Sequence, residues 1–152
     1  MGNLTVLNNR QAKKLFAPIE EHWKCDLSPL LKQHSFVLTA KQKLYIIRRE
    51  MHEAQVDSRI NSIGIYFASL KENNARLSIE GAQLVHKSAT TNTIKISNEQ
   101  AHAWIRGKNL EISTDVYGYQ IVVNNGDVMG CGYAKEGTLL NYVPKTRRIH
   151  AA

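Results

Sequence analysis

The dipeptide Asn125-Gly126 constrains the fold of this chain most, because it stands between two apolar runs. Tyr119–Val123 precedes it, and Val128–Ala134 follows it. Asn-Gly is the strongest short signal for a tight β-hairpin, since both central residues of the favoured turn need positive φ. The sequence therefore predicts two paired strands with their turn at residues 124–127.

The second of these strands carries Gly130 and Gly132, two residues apart. Glycines at this spacing leave one face of a strand without side chains, so another backbone or a ligand can approach closely. They do not lie between a strand and a helix, so they cannot direct helix N–H groups at a phosphate. We therefore expect no nucleotide cofactor here.

Two segments have the pattern of amphipathic helices. Asn8 or Asn9 can cap the first, over residues 8–24, and Pro18 predicts a kink or a split within it. Its apolar stripe consists of Ala12, Leu15, Phe16, Ile19 and Trp23. The second begins at a capping box formed by Ser97 and Gln100 and ends at Gly107 in the left-handed conformation. Ala101, Trp104 and Ile105 supply its inner face.

The remaining pattern predicts an α+β fold. In the first part, strands at 36–38, 44–47, 62–70 and 76–79 form a mainly antiparallel sheet, with a short helix at 48–57. Later strands are predicted at 93–96, 110–112, 117–123 and 139–143. Residues 88–93 are rich in Ser, Thr and Asn, so we place a boundary there, between an N-terminal domain (1–90) and a second domain (91–152).

Composition favours an anionic partner. The 152 residues are 43% hydrophobic, which indicates a globular chain. Their net charge of +7 favours binding to polyanions, of which nucleic acid is the commonest. A mild excess of charge for solubility is the alternative. No apolar run reaches the ~20 residues of a membrane span, and the first residues lack the pattern of a signal peptide, so we expect a cytoplasmic protein with no membrane partner.

Catalytic and metal-binding interpretations find little support. His52-Glu53 begins like a zinc-protease helix, but Val56 stands where the second His is required. Cys25 and Cys131 form no Cys-x-x-Cys pair. A nucleophilic Cys131 needs a nearby base, so a buried structural thiol is the better interpretation. We therefore expect no enzyme activity, no metal and no cofactor.

Basic and aromatic residues of the last third suggest binding instead. The cations are Lys135, Lys145, Arg147 and Arg148, and Tyr119, Tyr133 and Tyr142 are interleaved with them. Lys and Arg contact phosphates, and aromatic rings stack on unpaired bases. We predict that the four cations form one phosphate-contacting patch, with the side chains of Arg147 and Arg148 in solvent. The alternative is a solvated basic tail beside tyrosines of the core.

The last third resembles the PUA domain, a small RNA-binding β-pseudobarrel. The resemblance rests on the capped helix 97–107, the hairpin 119–134 and the Gly-x-Gly-x-Ala element at Gly130, Gly132 and Ala134. With the upstream segments 43–47, 62–67 and 75–79, the chain is similar to the Nip-seven family of ribosome-biogenesis factors. The short end after Arg148 is more similar to archaeal than to nucleolar members.

That resemblance implies an RNA-binding protein that contacts rRNA or pre-rRNA, single-stranded or structured, during large-subunit biogenesis. Other ribosome-assembly proteins are implied as partners. By position, Lys135, Lys145, Arg147, Arg148 and Tyr133 would contact RNA. Two alternatives stay open: a PUA-type accessory subunit of a tRNA- or rRNA-modifying enzyme, and a ribosome-associated translation factor. We expect the N-terminal part to face protein, although its net charge is about +5.

Overall fold

The computed structural model describes residues 4–48 and 64–149, which form ten strands, four α-helices and one 3-10 helix. The strands are β1 (Leu4–Leu7), β2 (His34–Thr39), β3 (Lys43–Arg48), β4 (Ile65–Lys71), β5 (Asn74–Leu77), β6 (Thr93–Lys95), β7 (Leu110–Glu111), β8 (Gly118–Asn124), β9 (Asp127–Lys135) and β10 (Thr138–Asn141). The helices are α1 (Asn9–Trp23), α2 (Ser28–Gln33), α3 (Ile79–His86) and α4 (Asn98–Ile105), and the 3-10 helix is Lys145–Arg147.

The first sheet has the order β1-β2-β3-β4-β5, and all neighbouring strands are antiparallel. This confirms the predicted mainly antiparallel sheet of the first part of the chain. The sequence did not predict β1 or α2, because a strand of four residues and a helix of six are too short to show a clear period. The predicted helix at 48–57 is wrong at Arg48, which is the last residue of β3. Residues 49–57 and the first two residues of the strand predicted at 62–70 lie outside the described residues.

Helix α1 packs the predicted apolar stripe against this sheet. Phe16 contacts Phe36 edge to face, with ring centroids 4.9 Å apart, and both rings are buried. Asn8 and Gln11 form a reciprocal capping box at the start of the helix. The predicted split at Pro18 is wrong, since the helix continues to Trp23. We attribute this to the buried stripe on both sides of Pro18, whose packing offsets the missing N–H bond.

The second sheet has the order β6-β8-β9-β10-β7, with β6 parallel to β8 and the other neighbours antiparallel. Asn125 has φ 49° and Gly126 has φ 83°, which confirms the predicted turn between β8 and β9. The capping box of Ser97 and Gln100 at the start of α4 and the left-handed Gly107 beyond its end are also confirmed. The fold is therefore α+β, as predicted.

The side chains of α3 and α4 cover the glycines of β9. A Cβ added to Gly132 would lie 2.8 Å from Cη2 of Trp104, and one added to Gly130 would lie 3.4 Å from Cγ1 of Ile79. The close approach that the glycines predicted is therefore present, but the chain's own side chains make it. Trp104 is fully buried and donates its indole N–H to the carbonyl of Met129 at 3.0 Å.

The second sheet buries both of its faces. One face packs Val122, Ala134 and Leu139 against Trp104. The other packs residues such as Ile121 and Cys131 into the same hydrophobic core as α1 and the first sheet. Residues of both parts of the chain therefore belong to one hydrophobic core. The division into domains 1–90 and 91–152 stays a prediction.

Asn92 joins these two parts by hydrogen bonds. Its side-chain amide donates to the carbonyl of His22 at 2.7 Å and accepts from Gln120 Nε2 at 3.0 Å. Its carbonyl accepts from the indole of Trp23 and from the backbone N–H of Ile121, both at 3.0 Å. The end of α1 is thereby tied to β8.

Candidate nucleic-acid interface

The basic segment after β10 begins at a buried anchor. Val143 lies in the core under α4, and the chain then turns through Pro144 into the 3-10 helix. Lys145 and Arg147 are exposed, whereas Arg148 is half-buried. The segment therefore offers two cations to solvent and holds the third against the protein.

Arg147 forms an ion pair with Glu80 in the first turn of α3. The distance from its Nη1 to Glu80 Oε2 is 3.0 Å, and the two side chains are 49% and 40% exposed. Among residues 4–48 and 64–149, this is the one ion pair with oxygen and nitrogen within 4 Å. At this exposure an ion pair contributes about 1 kcal/mol or less, so the guanidinium stays available to another anion.

Arg148 has a structural role. Its Nε donates to the carbonyl of Val143 at 3.0 Å, and its side chain covers Gly107, where an added Cβ would collide with it. The backbone N–H of the next residue, Ile149, donates to the carbonyl of Ile105. The expectation that Arg148 lies free in solvent is therefore wrong, because its side chain fastens the C-terminal segment to the end of α4.

Lys135 lies apart from the other cations. It is exposed at the end of β9 and pairs with Thr138 at the start of β10, whereas the basic segment follows the far end of β10. Arg147 lines a cleft together with Gly130, and Gly130 precedes Lys135 by five residues along β9, which is roughly 16 Å at the rise of a strand. Lys135 and the basic segment therefore lie at opposite ends of β10, and the single patch stays a prediction. RNA contact by each residue stays a prediction.

Three tyrosines form a cluster on β8, β9 and the loop before β8. The ring of Tyr133 contacts those of Tyr119 and Tyr117 edge to face, with centroids 4.8 and 5.8 Å apart. Tyr133 donates its hydroxyl to that of Tyr117 at 3.1 Å, and this bond, followed by partial burial, raises the pKa of Tyr133. Tyr119 is buried and Tyr117 is 66% exposed, so the cluster runs from the core to solvent.

A cleft of about 450 Å³ lies between the two sheets, beside the basic segment. The guanidinium carbon of Arg76 lies 4.6 Å from the ring centroid of Tyr142, and Nζ of Lys43 lies 5.7 Å from that of Tyr66. Tyr142 is 36% exposed. Burial raises the pKa of Tyr66, and its neighbour Arg76 acts in the opposite direction.

Lys43, Tyr66 and Arg76 were not predicted from the sequence, because the basic and aromatic pattern that indicates binding lies in the last third of the chain. The alternation of apolar and polar residues along β3 and β5 could have indicated that Lys43 and Arg76 lie on the face of the sheet away from the core. Lys43 adjoins the buried Leu44, and Arg76 stands between the buried Ala75 and Leu77. A cation at such a position projects from the sheet face opposite the core.

The two cysteines are poor nucleophiles. Cys131 is buried, as predicted, and burial raises its pKa to about 12. Burial, together with Glu20 and Asp26, raises the pKa of Cys25 to about 11. Both side chains are therefore thiols near neutral pH. No group of three or more His, Cys, Asp or Glu within 4–48 and 64–149 is placed to hold a metal ion.

The part of the chain that contains the second sheet and α4 is similar to a known protein family. Residues 91–149 match a family model described as the PUA domain of the methyltransferase RsmF. This part of the chain is a PUA domain. The PUA domain suggests RNA as a partner. No curated protein matches the chain. Within the described ranges, no helix is long and apolar enough to cross a membrane.

Proposed function

We propose that this protein is a non-enzymatic RNA-binding protein that contacts rRNA or its precursor during assembly of the large ribosomal subunit. The PUA domain at residues 91–149 carries the proposal of RNA binding. Its exposed Lys145 and Arg147 supply phosphate contacts, and Tyr133 and Tyr142 supply aromatic surface. The role in the large subunit rests on the resemblance of the whole chain to the Nip-seven family, as does partnership with other assembly proteins.

A second candidate function is that of an accessory subunit to an RNA-modifying enzyme. The matching family model is described as part of a methyltransferase, which favours this candidate. The chain would then present RNA to a separate catalytic subunit. Stable capture of a modification enzyme by the full chain would support this function over the first.

Crosslinking of RNA to the full chain in cells, followed by sequencing of the bound fragments, tests the proposal. We expect reads concentrated in large-subunit rRNA or its precursor, and co-sedimentation with precursors of that subunit. Reads concentrated in tRNA, or at modified positions, would support the accessory subunit instead. Co-sedimentation with mature small subunits would indicate a translation factor. Arg147→Ala tests the phosphate contact in the same experiment. Loss of this exposed contact should lower the crosslinked yield without changing the distribution of reads.

A further inference from the structure

We infer that the cleft between the two sheets binds one unpaired nucleotide of single-stranded RNA, with the base stacked on Tyr142 and Arg76. The inference rests on the proposed function, because it names the part of RNA that this surface would take. It also assigns an RNA contact to the N-terminal part of the chain, which was predicted from the sequence to face protein.

The stack of Arg76 on Tyr142 is the first observation. The guanidinium lies 4.6 Å from the ring centroid, so a flat cation already covers an aromatic ring at this position. Tyr142 keeps 36% of its surface exposed, and Arg76 is half-buried. Unpaired bases stack on both aromatic rings and guanidinium planes, so a base can extend this pair at little cost in side-chain ordering.

The charge around the cleft is the second observation. Lys43 and Arg147 line it with Arg76, and Glu80 is the one acidic residue of its lining among residues 4–48 and 64–149. Three cations against one carboxylate give a net positive cleft, which suits the phosphate of a nucleotide. Glu80 pairs with Arg147 through Nη1 alone, so a phosphate that contacts this guanidinium competes with the carboxylate for it.

The size of the cleft is the third observation. About 450 Å³ lies within the ~300–1,000 Å³ range of clefts that hold small ligands. Gly130 and Cys131 of β9 and Ile79 of α3 also line the cleft. Val143 and Pro144 provide apolar surface next to Tyr142. The lining therefore combines an aromatic ring, apolar contacts and cations, as a stacked nucleotide requires.

The test compares two fluorescent probes: an oligouridylate of about eight nucleotides, a length within the range of single-strand binding sites, and an abasic oligomer with the same backbone. Affinity of the full chain is measured for both by anisotropy. Tyr142→Leu removes the ring, and Tyr142→Phe keeps it. Arg76→Lys keeps the charge but loses the planar guanidinium. Lys71→Ala removes an exposed cation at the end of β4, outside the cleft, and is the matched control.

We expect wild-type protein to prefer the oligouridylate over the abasic oligomer by about 5- to 100-fold, the range that stacking of one base provides. Tyr142→Leu and Arg76→Lys should lose most of this preference through weaker oligouridylate binding. Their affinity for the abasic oligomer should stay within about twofold, while Tyr142→Phe and Lys71→Ala keep the full preference. Melting curves of each variant verify folding, and Arg76→Lys carries the test if Tyr142→Leu does not fold.

Two results would overturn the inference in distinguishable ways. If the chain binds RNA but both variants keep the wild-type preference for bases, the cleft is not the stacking site and RNA binding itself stands. If wild-type protein binds neither probe, the proposed function fails and the cleft inference fails with it.

Discussion

Arg147 and Glu80 join the C-terminal segment to helix α3 through a contact of 3.0 Å between Nη1 and Oε2. Both side chains are substantially exposed, so the pair holds its partners weakly. In the proposed complex, an RNA phosphate at Arg147 would compete with the carboxylate of Glu80.

Glu80→Gln should therefore strengthen RNA binding. The amide frees Arg147 and removes a negative charge from the cleft, and we expect about two- to fivefold tighter binding of single-stranded RNA at low salt. Anisotropy titration measures this. Glu72→Gln, at an exposed turn, is the matched control and should have little effect. Equal affinities of Glu80→Gln and wild type would show that Arg147 does not receive a phosphate.

Substitutions at Arg147 and Arg148 should affect different properties, namely RNA binding for Arg147 and stability for Arg148. Arg148→Ala loses the bond to Val143 and the packing over Gly107, so we expect a lower free energy of unfolding by about 1–2 kcal/mol. Arg147→Ala should cost within about 0.5 kcal/mol but reduce the salt dependence of RNA binding by about 0.7 in log–log slope. Urea denaturation and salt titration make the comparison. Equal unfolding midpoints for the two variants would contradict the structural role of Arg148.

Asn92→Ala should loosen the contact between the two parts of the chain. It removes the bonds to His22 and Gln120, and the amide of Gln120 is left with a weaker partner in a buried position. Asn92 also has φ 53°, a conformation that alanine tolerates poorly. We expect a loss of about 2–3 kcal/mol in the free energy of unfolding. Thr91→Ala, at an exposed neighbouring residue, should cost within about 0.5 kcal/mol. A loss for Asn92→Ala as small as that of Thr91→Ala would argue against this role.

The buried thiol of Cys131 should make stability fall in alkaline solution. Its pKa is about 12 in the folded chain against 9.0 for an ordinary thiol, so the unfolded state loses the proton first as pH rises. The contribution of the protonated thiol to the free energy of unfolding is therefore complete below pH ~9. It is lost progressively between pH ~9 and pH ~12, at about 1.4 kcal/mol per pH unit. The free energy of unfolding between pH 9 and 10.5 should fall less steeply in Cys131→Ala than in wild type. Parallel slopes would contradict this effect of burial.

Local patterns were sufficient to predict much of the fold. Turn chemistry at Asn125-Gly126 and the capping box at Ser97 depend on adjacent residues, so the sequence displays them directly. Pro18 was misjudged because helix propensity is local, whereas packing of the stripe on both sides of it is tertiary.

The binding surface was harder to predict, because it depends on which strands meet. Arg76 and Tyr142 are distant in sequence and contact only after both sheets have formed. Lys135 and Arg147 are closer in sequence, yet β10 carries them to opposite ends of a ladder. Arg148 looked like a free cation because the sequence does not show that its side chain covers Gly107.

The salt dependence of binding to single-stranded RNA tests the central claim most directly. Lys43, Lys145 and Arg147 are exposed, and Arg76 lines the cleft together with Lys43 and Arg147. Three to four phosphate contacts at about 0.7 each predict a log–log slope of about −2 to −3 for the full chain. A slope in this range, made shallower by Arg147→Ala, would support an RNA-binding protein. Absence of binding at low salt, or a slope near zero, would contradict it.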